Sequence, residues 1–181
     1  MEKTNNNQLS IRYMFITGLL ISAFSFIGAL FLENFLHLSP CPLCIIQRVC
    51  LIFIITISLI AISHNPKIYG YIVYSLLVLI FIILGIVIAR QQIYIQNLPP
   101  GTLVSCGADI KFMFNNLPFS EFVSYLMEGS ADCAKIQFNF LGLTLPKWSF
   151  ILFVILLIIY LWQLLTCFKS LYSKKNRDLS C

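Results

Sequence analysis

The chain has 181 residues, of which 59% are hydrophobic and only 10% are charged. Soluble domains are about 45–50% apolar and about 25% charged, so this composition excludes an ordinary soluble protein and indicates an integral membrane protein. The formal net charge is +5, but the basic residues lie mainly toward the chain ends and form no single patch, so we expect no nucleic-acid partner.

Four segments are apolar enough to cross a lipid bilayer, at residues 11–32, 43–62, 69–89 and 148–168. Each has about 20 residues, the length that an α-helix needs to span a hydrocarbon core of about 30 Å. The first segment is too long for the apolar part of a signal peptide, and no small-residue cleavage site follows it. We therefore predict an all-α membrane protein: a single membrane domain over residues 1–181, built as a four-transmembrane-helix bundle.

Lysine and arginine residues set the predicted orientation of this bundle. Lys67 lies between the second and third segments, and other basic residues lie near the two ends of the chain: Lys3, Arg12, Lys169, Lys174, Lys175 and Arg177. Positive charge collects on the cytoplasmic side of membrane proteins. Both terminal tails are therefore predicted to be cytoplasmic, with two outer loops at about residues 33–42 and 91–147.

The second outer loop is too long to be a simple connection. Residues 119–128 within it place four apolar side chains at helical spacing: Phe119, Phe122, Val123 and Leu126. This spacing predicts a short amphipathic helix, which would lie on the membrane surface or, equally well, pack against the bundle.

Four of the seven cysteines fall in the predicted outer loops, as the two pairs Cys41 with Cys44 and Cys106 with Cys133. Disulfides form and persist outside the cytoplasm, and an even number of cysteines there is what pairing requires. The remaining three are interpreted as buried or cytoplasmic thiols without a redox role: Cys50, Cys167 and Cys181.

The stretch SPCPLCIIQR, residues 39–48, places one of these pairs at the start of a membrane helix. Pro42 suits the first helical position and biases the preceding residue toward an extended backbone, so Cys41 is predicted to be the N-cap. Cys44 then lies in the first turn, where the helix terminus favours a thiolate. Arg48 follows by four residues on the same face, where it would stabilise that thiolate or an anionic partner of it.

Three interpretations of the Cys41–Cys44 pair compete. It could be a structural disulfide or two inert thiols. A zinc site could use the four outer cysteines, but only one pair has metal-finger spacing. A haem attachment is excluded, because Ile45 stands where a histidine is required. A redox-active pair is favoured, since the helix start and Arg48 are what thiolate chemistry needs, although Arg48 could instead simply extend to the membrane interface.

Three segments of this chain together resemble the bacterial disulfide bond formation protein B (DsbB) family. They are PCPLCIIQR at the start of the second helix, RQQIYIQNLPPGTLVSCG at residues 90–107 and GSADCAKIQFNFLGLTLPKWSF at residues 129–150. Their order, spacing and topology agree with the family over about residues 11–168. A lone CxxC would be weak support, whereas this combination is specific.

The resemblance implies a quinone-dependent disulfide oxidoreductase in the bacterial inner membrane, with its redox loops in the periplasm. Such a protein reoxidises DsbA, a soluble thioredoxin-fold dithiol oxidant, and passes two electrons to a membrane quinone, ubiquinone or menaquinone. On this sequence the family implies that Cys106 forms the mixed disulfide with the partner. Cys133 would pair with Cys106 and relay to Cys41. Cys44 would contact the quinone, and Arg48 would lie beside it.

Three alternatives to this function are considered. One is a DsbI-like paralogue with a narrower substrate, and another is a membrane structural protein with two static disulfides. The vitamin K epoxide reductase-like family also combines a four-helix bundle with a CxxC and loop cysteines. In that family the loop pair precedes the CxxC, whereas here Cys41 and Cys44 come first.

Two further features concern the ends and faces of the helices. Arg90, Gln91 and Gln92 at the end of the third segment are interpreted as a capping cluster at the membrane boundary, with contact to a quinone carbonyl as the alternative. Small residues recur near one face of the first segment and predict close helix packing there: Gly18, Ser22, Ser25, Gly28 and Ala29.

Overall fold

Four long helices and one short hairpin make up the part of the chain that the structure, a computed structural model, describes: residues 2–36, 41–98, 139–140 and 142–179. The helices are α1 (Glu2–Leu36), α2 (Pro42–His64), α3 (Ile68–Gln96) and α4 (Leu145–Leu179), and the strands are β1 (Asn139–Phe140) and β2 (Leu143–Thr144). All four helices contain a stretch long and apolar enough to cross a membrane: Ser10–Phe35, Pro42–His64, Ile68–Gln96 and Leu145–Tyr172. The predicted all-α, four-helix membrane fold is confirmed.

The helices extend beyond the predicted membrane segments. Both ends of the predicted outer loop at residues 91–147 are helical, because α3 continues to Gln96 and α4 begins at Leu145. Residues 33–36, assigned to the first loop, likewise belong to α1. An apolar run underestimates the length of a helix, because a polar residue near a helix end can point into the bundle and remain helical.

Several predicted features lie outside the described residues. They are Cys106, Cys133, Cys181 and the amphipathic segment at residues 119–128.

The four helices pack in a ring, in which α1 and α3 each lie between α2 and α4. Large side chains from all four helices fill the centre and are fully buried, among them Phe15, Ile54, Tyr71, Ile82, Phe153 and Tyr160. Large apolar side chains also cover the outside of the bundle, including Phe24, Ile52, Ile80 and Ile158. An apolar exterior is what a bundle that faces lipid requires.

Buried hydroxyl and amide groups connect the helices across this centre. Ser58 Oγ and Tyr160 Oη are 2.7 Å apart and join α2 to α4. Gln163 Nε2 donates to Ser75 Oγ at 3.2 Å and joins α4 to α3. In a medium without water such hydrogen bonds favour one relative placement of the helices.

Cys41 and Cys44 lie at the end of the bundle where α1 and α3 finish and α2 and α4 begin. This end is called the dithiol end below. The β1–β2 hairpin lies here, with Gly142 at φ 77° in its turn. Thr144 Oγ1 donates to Gln96 Oε1 at 3.0 Å, which fixes the start of α4 against the end of α3. Arg12, Lys67 and Lys169 lie toward the opposite end.

Candidate active site

Cys41 and Cys44 begin α2 as the sequence predicts. Cys41 is the N-cap, with an extended backbone at φ −72° and ψ 158°, and a proline starts the helix after it. The amide of Ile45 donates to the Cys41 carbonyl oxygen at 3.2 Å, which closes the first helical turn. The prediction that Pro42 places Cys41 at the cap and Cys44 in the first turn is therefore confirmed.

The two sulfur atoms face each other within a small apolar cluster. Cys41 Sγ donates to Cys44 Sγ at 3.0 Å. Cys41 is buried with Leu43 and Ile95, whereas Cys44 is half-buried. The pair is thus close enough to form a disulfide, and Cys44 is the more exposed of the two residues.

An amide from α3 contacts both sulfur atoms. Gln92 Nε2 donates to Cys41 Sγ at 3.2 Å and to Cys44 Sγ at 3.1 Å. Gln92 Oε1 in turn accepts a hydrogen bond of 2.8 Å from Gln47 Nε2 of α2. Both glutamines are buried. The interpretation of Arg90, Gln91 and Gln92 as a capping cluster at the membrane boundary is therefore wrong for Gln92. Arg90, by contrast, is exposed.

The sequence does contain a pattern that predicts the burial of Gln92, although the apolar residues alone do not show it. The buried residues of α3 recur every three or four positions, and Gln92 continues that series: Val78, Ile82, Gly85, Ala89 and Gln92. The same holds for Gln47, which lies between Leu43 and Leu51 on the buried face of α2. If the periodic series of buried positions is continued through polar residues as well, it predicts that both glutamines are buried.

Arg48 forms an ion pair with Glu33 of α1, between Nη1 and Oε2. The Arg48 and Glu33 side chains are 20% and 25% exposed. An arginine in a membrane helix is costly unless it is paired, so Glu33 offsets part of that cost. Sequence reasoning placed Arg48 beside Cys44 but did not identify Glu33 as its partner, because no spacing rule connects residues on different helices.

The surface beside Cys44 combines exposed apolar side chains with the Arg48 cation. Ile45 and Val49 are 37% and 42% exposed, and they lie on the same side of α2 as Cys44 and Arg48. Because a guanidinium carries five N–H donors, the contact with Glu33 engages only part of it. One thiol, one cation and an apolar strip therefore meet on a face of α2 that lipid can reach.

The structure separates the other described cysteines from this site. Cys50 and Cys167 are buried in the main apolar core of the bundle, whereas Cys41 and Cys44 belong to the smaller cluster at the dithiol end. The positions of Cys106 and Cys133 relative to the site lie outside the described residues.

Comparisons with known proteins agree with this arrangement. The model of the family described as disulfide bond formation protein DsbB matches residues 11–163. The chain is 38% identical to disulfide bond formation protein B of Nitrosococcus oceani over 157 residues, 87% of this chain and 93% of the relative. It is 37% identical to the protein of the same name from Stutzerimonas stutzeri, over 86% of this chain and 96% of that relative. It is 38% identical to the one from Acinetobacter baylyi, over 91% of this chain and 98% of that relative.

The family model covers Cys41 and Cys44, the whole of α2 and α3, and parts of α1 and α4. An apolar four-helix bundle that carries a close thiol pair is also what a membrane-embedded disulfide-forming redox protein needs. The chain is therefore a member of the DsbB family of disulfide bond formation proteins, a transmembrane oxidoreductase that serves protein folding.

Proposed function

We propose that this chain reoxidises a periplasmic DsbA-type dithiol oxidant and passes the two electrons to a membrane quinone. The observation that carries the proposal is the position of Cys44, half-buried on a lipid-facing side of α2 with Arg48 one turn away. A DsbA-type partner has a reduction potential of about −120 mV, so its reoxidation needs a strongly oxidising acceptor. An acceptor dissolved in the membrane reaches this side of α2 without entering the bundle.

Disulfide exchange would carry the electrons from the partner to the dithiol end. Cys106 would form the mixed disulfide with the partner and pair with Cys133, and Cys133 would exchange with Cys41. Residue Asn139, six positions after Cys133, belongs to the hairpin at the dithiol end. The chain therefore reaches the dithiol end six residues after Cys133, which supports this order.

Cys44 and Arg48 would hold the quinone, ubiquinone or menaquinone. A bound quinone supplies a two-electron, two-proton oxidation. Arg48 would bind and orient it through guanidinium donors beside those used by Glu33, and Ile45 and Val49 would exclude water from its ring. Gln92 would keep the Cys44 sulfur in place through its hydrogen bond of 3.1 Å.

The same geometry supports a location for the protein. The dithiol end would face the periplasm, and the opposite end, with Arg12, Lys67 and Lys169, would face the cytoplasm. The termini would then lie in the cytoplasm of a bacterial cell, and the protein in its inner membrane.

Anaerobic mixing of the purified protein with a ubiquinone analogue and a reduced DsbA-type dithiol tests the proposal. We expect the quinone to be reduced, and we expect reduction to disappear in both Cys44→Ser and Cys106→Ser. Cys50→Ala is the matched control, because its thiol lies on the same helix but in the main core, and it should retain turnover. Wild-type turnover in both serine variants would show that the relay is wrong.

A further inference from the structure

Two glutamines from different helices form a short chain of hydrogen bonds that ends at the dithiol. Gln47 Nε2 donates to Gln92 Oε1 at 2.8 Å, and Gln92 Nε2 lies 3.2 Å from Cys41 Sγ and 3.1 Å from Cys44 Sγ. Gln47 and Gln92 are 5% and 3% exposed. Both amides are thus removed from bulk solvent, and one NH₂ group contacts both sulfur atoms.

The direction of this chain decides what it can stabilise. A thiol can donate a hydrogen bond, but a thiolate can only accept one. An amide therefore stabilises a thiolate only if its NH₂ group, and not its oxygen, faces the sulfur. Gln47 donates to Gln92 Oε1 and so holds the oxygen away from the cysteines.

We propose that Gln92 is a catalytic residue whose NH₂ group stabilises negative charge on the Cys41–Cys44 sulfurs, and that Gln47 is the positioning residue that keeps this group facing them. The surroundings strengthen the effect. Cys41 lies in an apolar cluster with Leu43 and Ile95, and a hydrogen bond in a medium of low dielectric constant is stronger than one in water. Neither glutamine carries a charge, so the contribution does not depend on the protonation of a second group.

This proposal deepens the proposed function at one step and rests on it there. When a cysteine thiolate attacks Cys41 Sγ in an oxidised Cys41–Cys44 pair, a new S–S bond forms to Cys41 and the existing one breaks. The electron pair of the broken bond stays on Cys44 Sγ, which leaves as a thiolate. Gln92 already lies against both sulfurs, so its N–H groups meet this charge without a rearrangement.

The rate at which iodoacetamide alkylates Cys44 in the reduced protein reports its thiolate fraction. The rate is measured at pH 7 and at pH 10.5, with the modified cysteine identified by mass spectrometry of its peptide. Gln92→Leu is expected to slow alkylation about tenfold at pH 7, as loss of a hydrogen bond to a charged group requires. At pH 10.5 the rate depends on the nucleophilicity of the thiolate more than on its fraction, so the slowing should disappear in Gln92→Leu.

The comparison of the two pH values separates stabilisation of charge from access. A merely structural change around Cys44 would alter both rates by the same factor. An unchanged rate at pH 7 in Gln92→Leu, or an equal change at both pH values, would overturn the proposal.

The role of Gln47 is tested through Gln92. Gln47→Leu should slow alkylation at pH 7 by a smaller factor, about threefold, because the amide of Gln92 remains but is no longer held. Gln47→Leu combined with Gln92→Leu should be no slower than Gln92→Leu alone, since Gln47 acts only through Gln92. Independent, multiplying effects would refute the positioning role. Gln47→Leu also provides the test if Gln92→Leu does not fold.

Gln163→Leu is the matched control for loss of a buried amide. Gln163 is fully buried and donates to Ser75, which lies about 25 Å from Gln92 along α3 at the helical rise of 1.5 Å per residue. Its alkylation rates should equal those of the wild type, and slowing at pH 7 alone in this variant would overturn the proposal. Alkylation of Cys44 requires neither partner nor quinone. If the protein does not reduce quinone but Gln92→Leu still slows alkylation at pH 7, the proposed function is rejected and this inference is retained.

Discussion

Glu33 of α1 and Arg48 of α2 form an ion pair at the dithiol end of the bundle, one helical turn from Cys44. The pair connects the last turns of α1 to the first turns of α2, whereas the glutamine chain connects α2 to α3. Cys44 thus has a charged pair one turn further along α2, which involves α1, and an uncharged contact to its sulfur from Gln92 of α3. The charged contact is the more exposed of the two, because the Arg48 and Glu33 side chains are 20% and 25% exposed and Gln92 is 3% exposed.

Replacing Arg48 with alanine should raise the quinone concentration required for half-maximal turnover. If Arg48 binds the acceptor through its guanidinium, its removal takes away at least one charge-assisted hydrogen bond, so the apparent KM for quinone should rise about tenfold. Disulfides among the four outer cysteines should still form, as measured by thiol titration of the purified protein.

Arg90→Ala is the control for this variant, because Arg90 is an exposed arginine of α3 near the same end. It removes the same side chain at a position outside the described site, so its KM for quinone should match the wild type. An unchanged KM in Arg48→Ala would mean that Arg48 serves only the membrane interface and the contact with Glu33.

The ion pair itself predicts a non-additive effect on stability. Arg48→Gln leaves the Glu33 carboxylate without its cation at membrane depth, which costs more than replacing both charges. Glu33→Gln combined with Arg48→Gln should therefore unfold at a higher temperature than Arg48→Gln alone, with a coupling energy of about 1 kcal/mol. Thermal unfolding in detergent provides the measurement, and strictly additive changes in Tm would contradict the pair. The double variant should still show the raised KM for quinone, since it also lacks Arg48.

The parts of the site that depend on local sequence could be predicted, and those that depend on helix packing could not. Pro42 sets the backbone of Cys41 and starts α2, so the cap position and the first-turn position of Cys44 follow from adjacent residues. Gln92 reaches the same sulfurs only because the last turns of α3 lie level with the first turns of α2. That alignment is a property of the packed bundle, and no local pattern in α2 contains it.

The small residues of α1 show the same limit within one helix. Their spacing predicts close packing, and Gly18 does lie against Tyr160 of α4, where a Cβ atom would come within 2.6 Å of the phenol oxygen. At Gly28 the prediction is wrong, because a Cβ atom there would have nothing within 4 Å. A stripe of small residues shows where helices can approach, but the angle between the helices decides how far along the stripe they do so.

Two glycine-to-alanine changes should therefore have opposite outcomes. A Cβ atom on Gly85 of α3 would overlap the ring of Phe153 of α4, and both residues are buried. Gly85→Ala should destabilise the bundle by about 1–3 kcal/mol, the usual cost of overpacking a core. Gly28→Ala meets open space and should be neutral or stabilise the protein by up to about 1 kcal/mol, because alanine favours a helix more than glycine does. Thermal unfolding in detergent measures both, and equal effects would show that α3 and α4 are not packed this closely at Gly85.

The orientation of the bundle in the membrane can be tested with two cysteine reporters at opposite ends. Lys67 and Asn97 are both exposed residues at helix boundaries, Lys67 at the start of α3 and Asn97 at its end, the dithiol end. In intact spheroplasts, a membrane-impermeant maleimide should label Asn97→Cys, and it should label Lys67→Cys only after the membrane has been opened.

Labelling is assigned to each site by mass spectrometry, since native cysteines are present. Ile83→Cys is the control for membrane depth, because Ile83 is exposed on the outside of α3 near the middle of that helix and its thiol should stay unlabelled in both preparations. Labelling of Lys67→Cys in intact spheroplasts, with Asn97→Cys protected, would place the dithiol end in the reducing cytoplasm and would contradict both the orientation and the relay that depends on it.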